Sequence, residues 1–397
     1  MFDPHFRANP FDFYGALRET GGVHRVYFPA FSDVWLVTRY ADARAVLTDP
    51  RLSKEPANVS ASLREAIVAG EGEDNLPLMS SMLNSDPPDH TRLRRLVVKA
   101  FTPRRVQELR PRVQEIADEL LDRVAGTGRA DLIDDFAFPL PITVICELLG
   151  IPVADRDAFR EWSTLLTSAD EDERPLVEPA FANLHGYLSD FVGRMRREPD
   201  AGLISALVSA ADGVDGLDDE EVVTMALLLL VAGHETTVNL VGNGVIALLT
   251  HPDQLAALRA DESLLAPAIE EFIRYNGPVE TATWRYTMEP VVVGGVEIPA
   301  GEPVLVVLAS ANRDPERFAG ADRLDIKRGD NPHVGFGHGI HHCLGAPLAR
   351  LEGQVAISTL LRRFPDLALT VSPGDLQWRP GIIMRGVRHL PVSFSAS

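Results

Sequence analysis

Residues 218–250 carry the longest unbroken helical pattern in the chain, and that pattern has almost no polar face. Between Val222 and Gly233 the one polar side chain is Thr224. A helix that is apolar all round is a buried helix. Asp218, Asp219, Glu220 and Glu221 load its start, where negative charge opposes the unpaired N–H groups and the positive end of the dipole, and His251-Pro252 stops it. At 1.5 Å per residue the run spans about 50 Å, enough to cross a domain. Its apolar pattern breaks in the middle at His234, Glu235, Thr236 and Thr237. Polar groups inside a buried helix cost free energy unless they are paired or used. Gly233 opens space beside the backbone. Thr236 is spaced to bond the carbonyl of Ala232 and bend the helix.

Shorter helical patterns cover residues 10–20, 42–47, 106–124, 139–149, 157–167, 178–198, 264–275 and 346–364, and another starts at His90 after the stop at Asp86-Pro-Pro-Asp89. Strand patterns fall at 23–27 with 34–37 as a hairpin, 278–286 as an extended run, 291–298 as a hairpin around Gly294-Gly295, then 303–308, 367–371 and 387–394. The predicted fold class is mainly α with small β-sheets, the β-rich parts lying roughly at 20–40, 278–310 and 367–394. Two irregular stretches remain, 53–84 and 168–179. An irregular stretch as long as the first is usually functional. No Gly/Ser tract, low-complexity run or repeat divides the 397 residues, so a single domain, 1–397, is expected.

A net charge of −19 argues against nucleic acid as the main partner. Yet between Arg92 and Arg112 eight basic residues face one acid, Glu108, which is a candidate steering patch. The start of the chain lacks a basic region followed by an apolar core, and no apolar run reaches the roughly 20 residues of a membrane span, so a soluble, cytoplasmic protein with no membrane partner is expected. Two cysteines, Cys146 and Cys343, form no disulfide framework and suit a reducing compartment. Cys146 lies on the apolar face of the 139–149 helix and reads as core.

Cys343 is different. It sits in Phe336-Gly-His-Gly-Ile-His-His-Cys-Leu-Gly345, directly before a helix. The helix start offers unpaired N–H groups and partial positive charge, which favour thiolate, and a thiolate is a strong metal ligand. Gly337, Gly339 and Gly345 would let the backbone lie against something large and flat. A haem held by Cys343 satisfies these features. A zinc cluster of His338, His341, His342 and Cys343 is the competing reading, although four ligands within six residues rarely close a tetrahedron.

Phe336-x-x-Gly339-x-His341-x-Cys343-x-Gly345 resembles the haem-ligand signature of the cytochrome P450 monooxygenases. Ala232-Gly233-His234-Glu235-Thr236 is similar to that family's oxygen-activation motif, and Glu271-x-x-Arg274 to its buried structural pair. The resemblance runs the length of the chain and points to actinobacterial macrolide, polyketide and sterol-like hydroxylases. It implies the P450 fold, in which a long central helix and a Cys-ligand loop sandwich haem b (iron-protoporphyrin IX). Cys343 would be the metal ligand, with Phe336, Gly337, Gly345, Ala232 and Gly233 around the haem. His90, Arg94, Arg285 and His341 would hold its propionates. Glu235 and Thr236 would relay protons. Val231, Ala232, Val279, Glu280, Thr281, Ala282, Ile382 and Ile383 would meet substrate, Glu280 as a possible partner for a cationic group. Arg323 would complete the Glu271–Arg274 pair, with Arg317 competing. The 53–84 stretch would roof the pocket.

The expected activity is hydroxylation or epoxidation of a hydrophobic secondary metabolite. It would use O2 and two electrons from NAD(P)H, carried by a reductase and a ferredoxin that docks on the Arg92–Arg112 patch of a monomer. A peroxide-driven haem enzyme would not need the Glu235–Thr236 pair. A non-catalytic haem protein would need no apolar helix across the site.

Overall fold

The computed structural model describes residues 4–28, 32–58, 81–98, 101–168, 173–200, 202–210 and 216–396. Most of the 53–84 stretch and part of 168–179 lie outside them.

The helices that build the site follow in order: α1 Phe11–Thr20, α2 Tyr40–Thr48, α3 Asp89–Val97, α4 Arg110–Ala125, α5 Pro139–Leu149, α6 Arg156–Ser168, α7 Val177–Arg197, α8 Asp219–Thr250, α9 Leu265–Asn276 and α10 Ala346–Arg363. Helix α8 is the long apolar run, and it is unbroken through its polar middle. Asp218 caps it: its carboxylate accepts from the Glu221 N–H, and the Glu221 carboxylate accepts from the Asp218 N–H. Helices α5, α7, α9 and α10 pack around it. By length and composition α8 is apolar enough to cross a membrane, with an 18-residue window of mean hydropathy 1.4, but that window is 72% buried inside the protein. The sequence-based statement that no such run exists is corrected to this extent; α8 is the axis of the core.

Strands β1 Val23–Phe28, β2 Ser32–Val37, β3 Leu52–Ser53, β4 Arg129–Asp131, β5 Arg285–Thr287, β6 Val291–Val293, β7 Val296–Ile298, β8 Pro303–Val306, β9 Ala368–Leu369 and β10 Pro391–Ser393 form three small sheets. The largest has the order β1-β2-β8-β5-β3, in which β2 and β8 run parallel and the other pairs antiparallel. It ties the beginning of the chain to the segment that precedes the Cys343 loop. Gly294 and Gly295 take φ of 55° and 81°, the backbone a two-residue type I′ turn requires between β6 and β7.

Two expectations need correction. The 106–124 helix is really a short helix, Pro103–Glu108, followed by α4. Pro111 lacks the N–H that would continue the first and is pre-set to open the second. The 278–286 run is strand only at its end, in β5. Before that, its N–H groups bond singly to separate segments, Glu280 to the carbonyl of Ile383 and Ala282 to that of Val306. The helices Leu203–Ala210 and Leu308–Ala311 were not expected at all.

Candidate active site

Cys343 closes a turn. Its N–H donates to the carbonyl of Phe336 at 2.9 Å, and Gly337 and Gly339 between them take φ of 72° and 75°. A side chain at Gly339 would also place its Cβ 2.9 Å from the carbonyl oxygen of Leu47, so this glycine serves packing against α2 as well as the turn. Gly345 has an ordinary backbone and caps α10. The Cys343 side chain lines a cavity of about 270 Å³ and is exposed to it. The N–H groups of Gly345 and Ala346 and the charges of Arg94 and Arg350 pull the thiol pKa down, but burial is the larger effect and the net shift is upward. The helix end alone therefore does not make a thiolate here; a bound cation would, since a coordinating thiol loses its proton outright.

The cavity runs from Cys343, Phe336, Gly337, Leu344 and Gly345 on one side to Ala232, Gly233, Thr236 and Thr237 of α8 on the other. His90, Arg94, Arg285 and His341 line it too. The rings of His90 and His341 lie 4.2 Å apart, centroid to centroid. Neither nitrogen of His90 has a hydrogen-bond partner, nor does Nε2 of His341. Burial, then the charges of Lys54, His90, Arg285 and Arg94, hold the His341 pKa at about 2. Burial brings Arg285 down to about 10. Among the described residues, Asp86 is the acid whose field reaches His90, Lys54 and Arg285. Its oxygens are already taken by the Ser53 hydroxyl and the Lys54 N–H. A cluster of cations and orphaned imidazoles whose one nearby acid among the described residues, Asp86, is already bonded is built for an anionic guest. With a thiol facing the same space, the wall fits a metal macrocycle bearing two carboxylates, as haem does. The zinc reading fails on geometry. Among the described residues the one group of three with ligand atoms within 4.8 Å of one another is Asp131, Asp134 and His389, far from this loop in sequence.

Thr236 donates to the carbonyl of Ala232 at 2.9 Å. Glu235 is buried behind the cavity wall, where Asn239 donates to it at 3.2 Å and Arg379 Nε lies 4.0 Å away. Its other oxygen has no partner. Val279 and Ala282 line the cavity; Val231, Glu280, Thr281, Ile382 and Ile383 do not. For Glu280 the cause is explicit: its carboxylate is sealed by Arg7 at 2.5 Å and by the Tyr14 hydroxyl. Thr281 turns the other way, donating to the carbonyl of Ile382. Neither faces a substrate.

Glu271 and Arg274 form a fully buried, two-pronged pair at 2.7 Å. The further guanidinium is that of Arg328, whose Nε donates to Glu271 at 3.1 Å. Arg323 supplies only its carbonyl oxygen, to Arg274, and Arg317 pairs with Asp330. The expectation for Arg323 is corrected accordingly. The basic patch is also smaller than its sequence. Arg92 pairs with Glu221, Arg112 with Glu147 and Glu115, Arg94 donates to the carbonyl of His342, and Arg104 pairs with Glu108; the side chains of Arg95, Arg104 and Arg105 lie on the surface.

Two groups were missed. Lys54 is buried beside Arg285. Glu352 of α10 lines the cavity, shares a hydrogen bond with Thr237, and is pushed up to about 8 by burial. An acid between Leu348, Leu351 and Val355 on an apolar face was the available signal for Glu352; nothing in the sequence marked Lys54.

A cavity with a sulfur floor, a cationic rim and a buried helix above it defines a haem-thiolate protein. The sequence profile described as Cytochrome P450 matches residues 169–375. The chain is 54% identical over 98% of its length to the cytochrome P450 monooxygenase PikC of Streptomyces venezuelae, covering 91% of that protein. It is 45% identical to the 6-deoxyerythronolide B hydroxylase of Saccharopolyspora erythraea, over 98% of this chain and 96% of that one. The solved polyketide synthase cytochrome P450 PksS of Bacillus subtilis superposes with a TM-score of 0.92 at 41% identity, over 100% of both chains. The chain belongs to the cytochrome P450 family and is a monooxygenase.

Proposed function

We propose that this protein hydroxylates or epoxidises a macrolide or another polyketide, with haem b held by Cys343. The observation that carries the haem assignment is the pairing, in one cavity, of the Cys343 sulfur with His90, Arg94, Arg285 and His341. The substrate class is supported by the names of the hydroxylase and the polyketide synthase P450 it resembles. When bound, the haem supplies oxidation of a C–H or C=C bond by O2 with two electrons and two protons.

The residues of the chain prepare that chemistry. Arg94 and Arg285 offer permanent charge to the two carboxylates, and His90 and His341 offer ring nitrogens. Ala232 and Gly233 keep the α8 wall low. Thr236 presents a hydroxyl there, its hydrogen held on Ala232 until something in the cavity competes for it. Glu235 stores negative charge or a proton one residue away, out of the cavity, so its path to the site runs through Thr236 or water. Val279, Ala282, Leu228, Leu229 and Leu308 give the substrate side an apolar wall. Electrons come from NAD(P)H through a reductase and a ferredoxin, which docks near the exposed Arg95, Arg104 and Arg105 in place of the whole basic run.

Spectral titration of the purified haem protein tests this reading. Macrolides and polyketides shift the Soret band at micromolar concentrations; sterols and fatty acids need more. Reversal of that order removes the substrate class. A reduced-CO spectrum unchanged by Cys343→Ser removes the ligand assignment.

A further inference from the structure

The chain has three lysines, Lys54, Lys99 and Lys327, against 38 basic residues in all. Lys54 is 2% exposed. It follows β3, where Ser53 pairs with Tyr286 of β5, and its ammonium donates to the Thr283 hydroxyl and to the carbonyl of Trp284 at 2.8 Å. Both acceptors are neutral. An ammonium has three donors, and among the described residues no carboxylate takes the third. Asp86 contributes field, but its oxygens are occupied by the hydroxyl of Ser53 and the backbone N–H of Lys54 itself. The other charged neighbour is of like sign: Arg285, buried one residue beyond Trp284, with His341 opposite. Burying an ammonium beside a second cation, with only the shared field of Asp86 against them, costs free energy and holds the Lys54 pKa well below the ordinary lysine range; anionic groups brought alongside draw the charge back. Hydrophobic residues of similar length would fill the space without the cost.

We propose that Lys54 is a positioning residue of the haem site, placed behind Arg285 to hold the 283–285 segment and to add, with Arg94 and Arg285, a third positive charge toward the cofactor's carboxylates. The proposal rests on the haem reading above. It explains why the cation is retained: among the described residues Lys54, Arg94 and Arg285 outnumber the one nearby acid, Asp86, and the cofactor's carboxylates make up the difference. It also predicts a redox consequence. The reduced haem centre carries one more negative charge than the oxidised one, so a fixed cation favours reduction.

The test uses the holoenzyme and the variants Lys54→Met, Lys54→Gln and Lys54→Arg, with the rate of haem transfer to apomyoglobin and the one-electron reduction equilibrium as readouts. Met and Gln both shift the equilibrium toward the oxidised form by about three- to tenfold, tenfold being about 59 mV for one electron. Met, which also loses both hydrogen bonds, releases haem about tenfold faster; Gln, which keeps donors, releases it less fast; Arg restores the potential. If Met does not fold, Gln against Arg still separates charge from anchoring. Wild-type potential in Gln overturns the electrostatic role, and wild-type haem release in both Met and Gln overturns the positioning role. Either failure with the thiolate reduced-CO band intact leaves the haem reading standing; absence of that band from the wild-type protein sinks the haem reading itself.

Discussion

The hydroxyl of Thr236 lies 2.9 Å from the carbonyl oxygen of Ala232, one turn back in the same buried helix. Replacing Thr236 by Ala frees that carbonyl and removes the one hydroxyl α8 presents between Gly233 and Thr237. Product formed per NAD(P)H consumed then falls, and hydrogen peroxide rises in its place, with the rate of product formation down about 100-fold. Thr236→Ser retains most of the coupling. Full coupling in the Ala variant excludes a proton-delivery role.

The Glu271–Arg274 pair gives a stability prediction that separates two arginines. Glu271 accepts from Arg274 twice out of water, and from Arg328, Asn331 and the Asp325 N–H at the part-buried edge of the site. Arg328→Ala removes one charge-assisted bond from a carboxylate that keeps Arg274, so it costs about 2 kcal/mol in urea unfolding. Arg323→Ala, whose side chain is exposed, changes stability by less than about 0.5 kcal/mol. Equal losses in the two variants contradict the assignment.

Glu280 yields a prediction about specificity. Its carboxylate is held by Arg7 and Tyr14, so Glu280→Gln lowers the unfolding midpoint by an amount corresponding to about 3 kcal/mol. Affinity for an amine-bearing macrolide relative to its neutral counterpart stays the same. A selective loss of amine binding, read from spectral titration, places the carboxylate in the pocket after all.

Glu352 should make stability depend on pH. Burial raises its pKa from 4.5 to about 8, so between those values the folded protein keeps a proton that the unfolded chain releases. Stability contributed by this group is full below pH 4.5 and declines by a few kcal/mol as pH rises to 8. Glu352→Gln flattens that decline, measured as the difference between wild-type and variant unfolding free energies across the window. A pH-independent difference means that the acid is already ionised.

Local chemistry was legible in the sequence; long-range partners were not. The apolar length of α8, its Asp218 cap and the Cys343 turn each reside in contiguous residues, and Gly-Gly between two β-formers specified a hairpin. The companion of Glu271 was misassigned because Arg323 and Arg328 lie on one irregular segment, where no periodicity says which side chain returns to α9. Glu280 was expected in the pocket because the resemblance places the whole 279–282 run there, and nothing local shows Arg7 and Tyr14, which precede it by more than 260 residues. Lys54 carries no local signal: its meaning comes from Thr283, Trp284 and Arg285, brought near by the pairing of β3 with β5.

Arg7 is 2% exposed and clamps three separate carbonyl or carboxylate groups, those of Glu280, Met384 and Arg379, while its own carbonyl receives Arg385. Arg7 is thus a rivet through three strands of irregular chain, and one of them is the 278–282 run from which Val279 and Ala282 reach the cavity. A change at Arg7 is therefore felt at the apolar wall without any atom of Arg7 touching it.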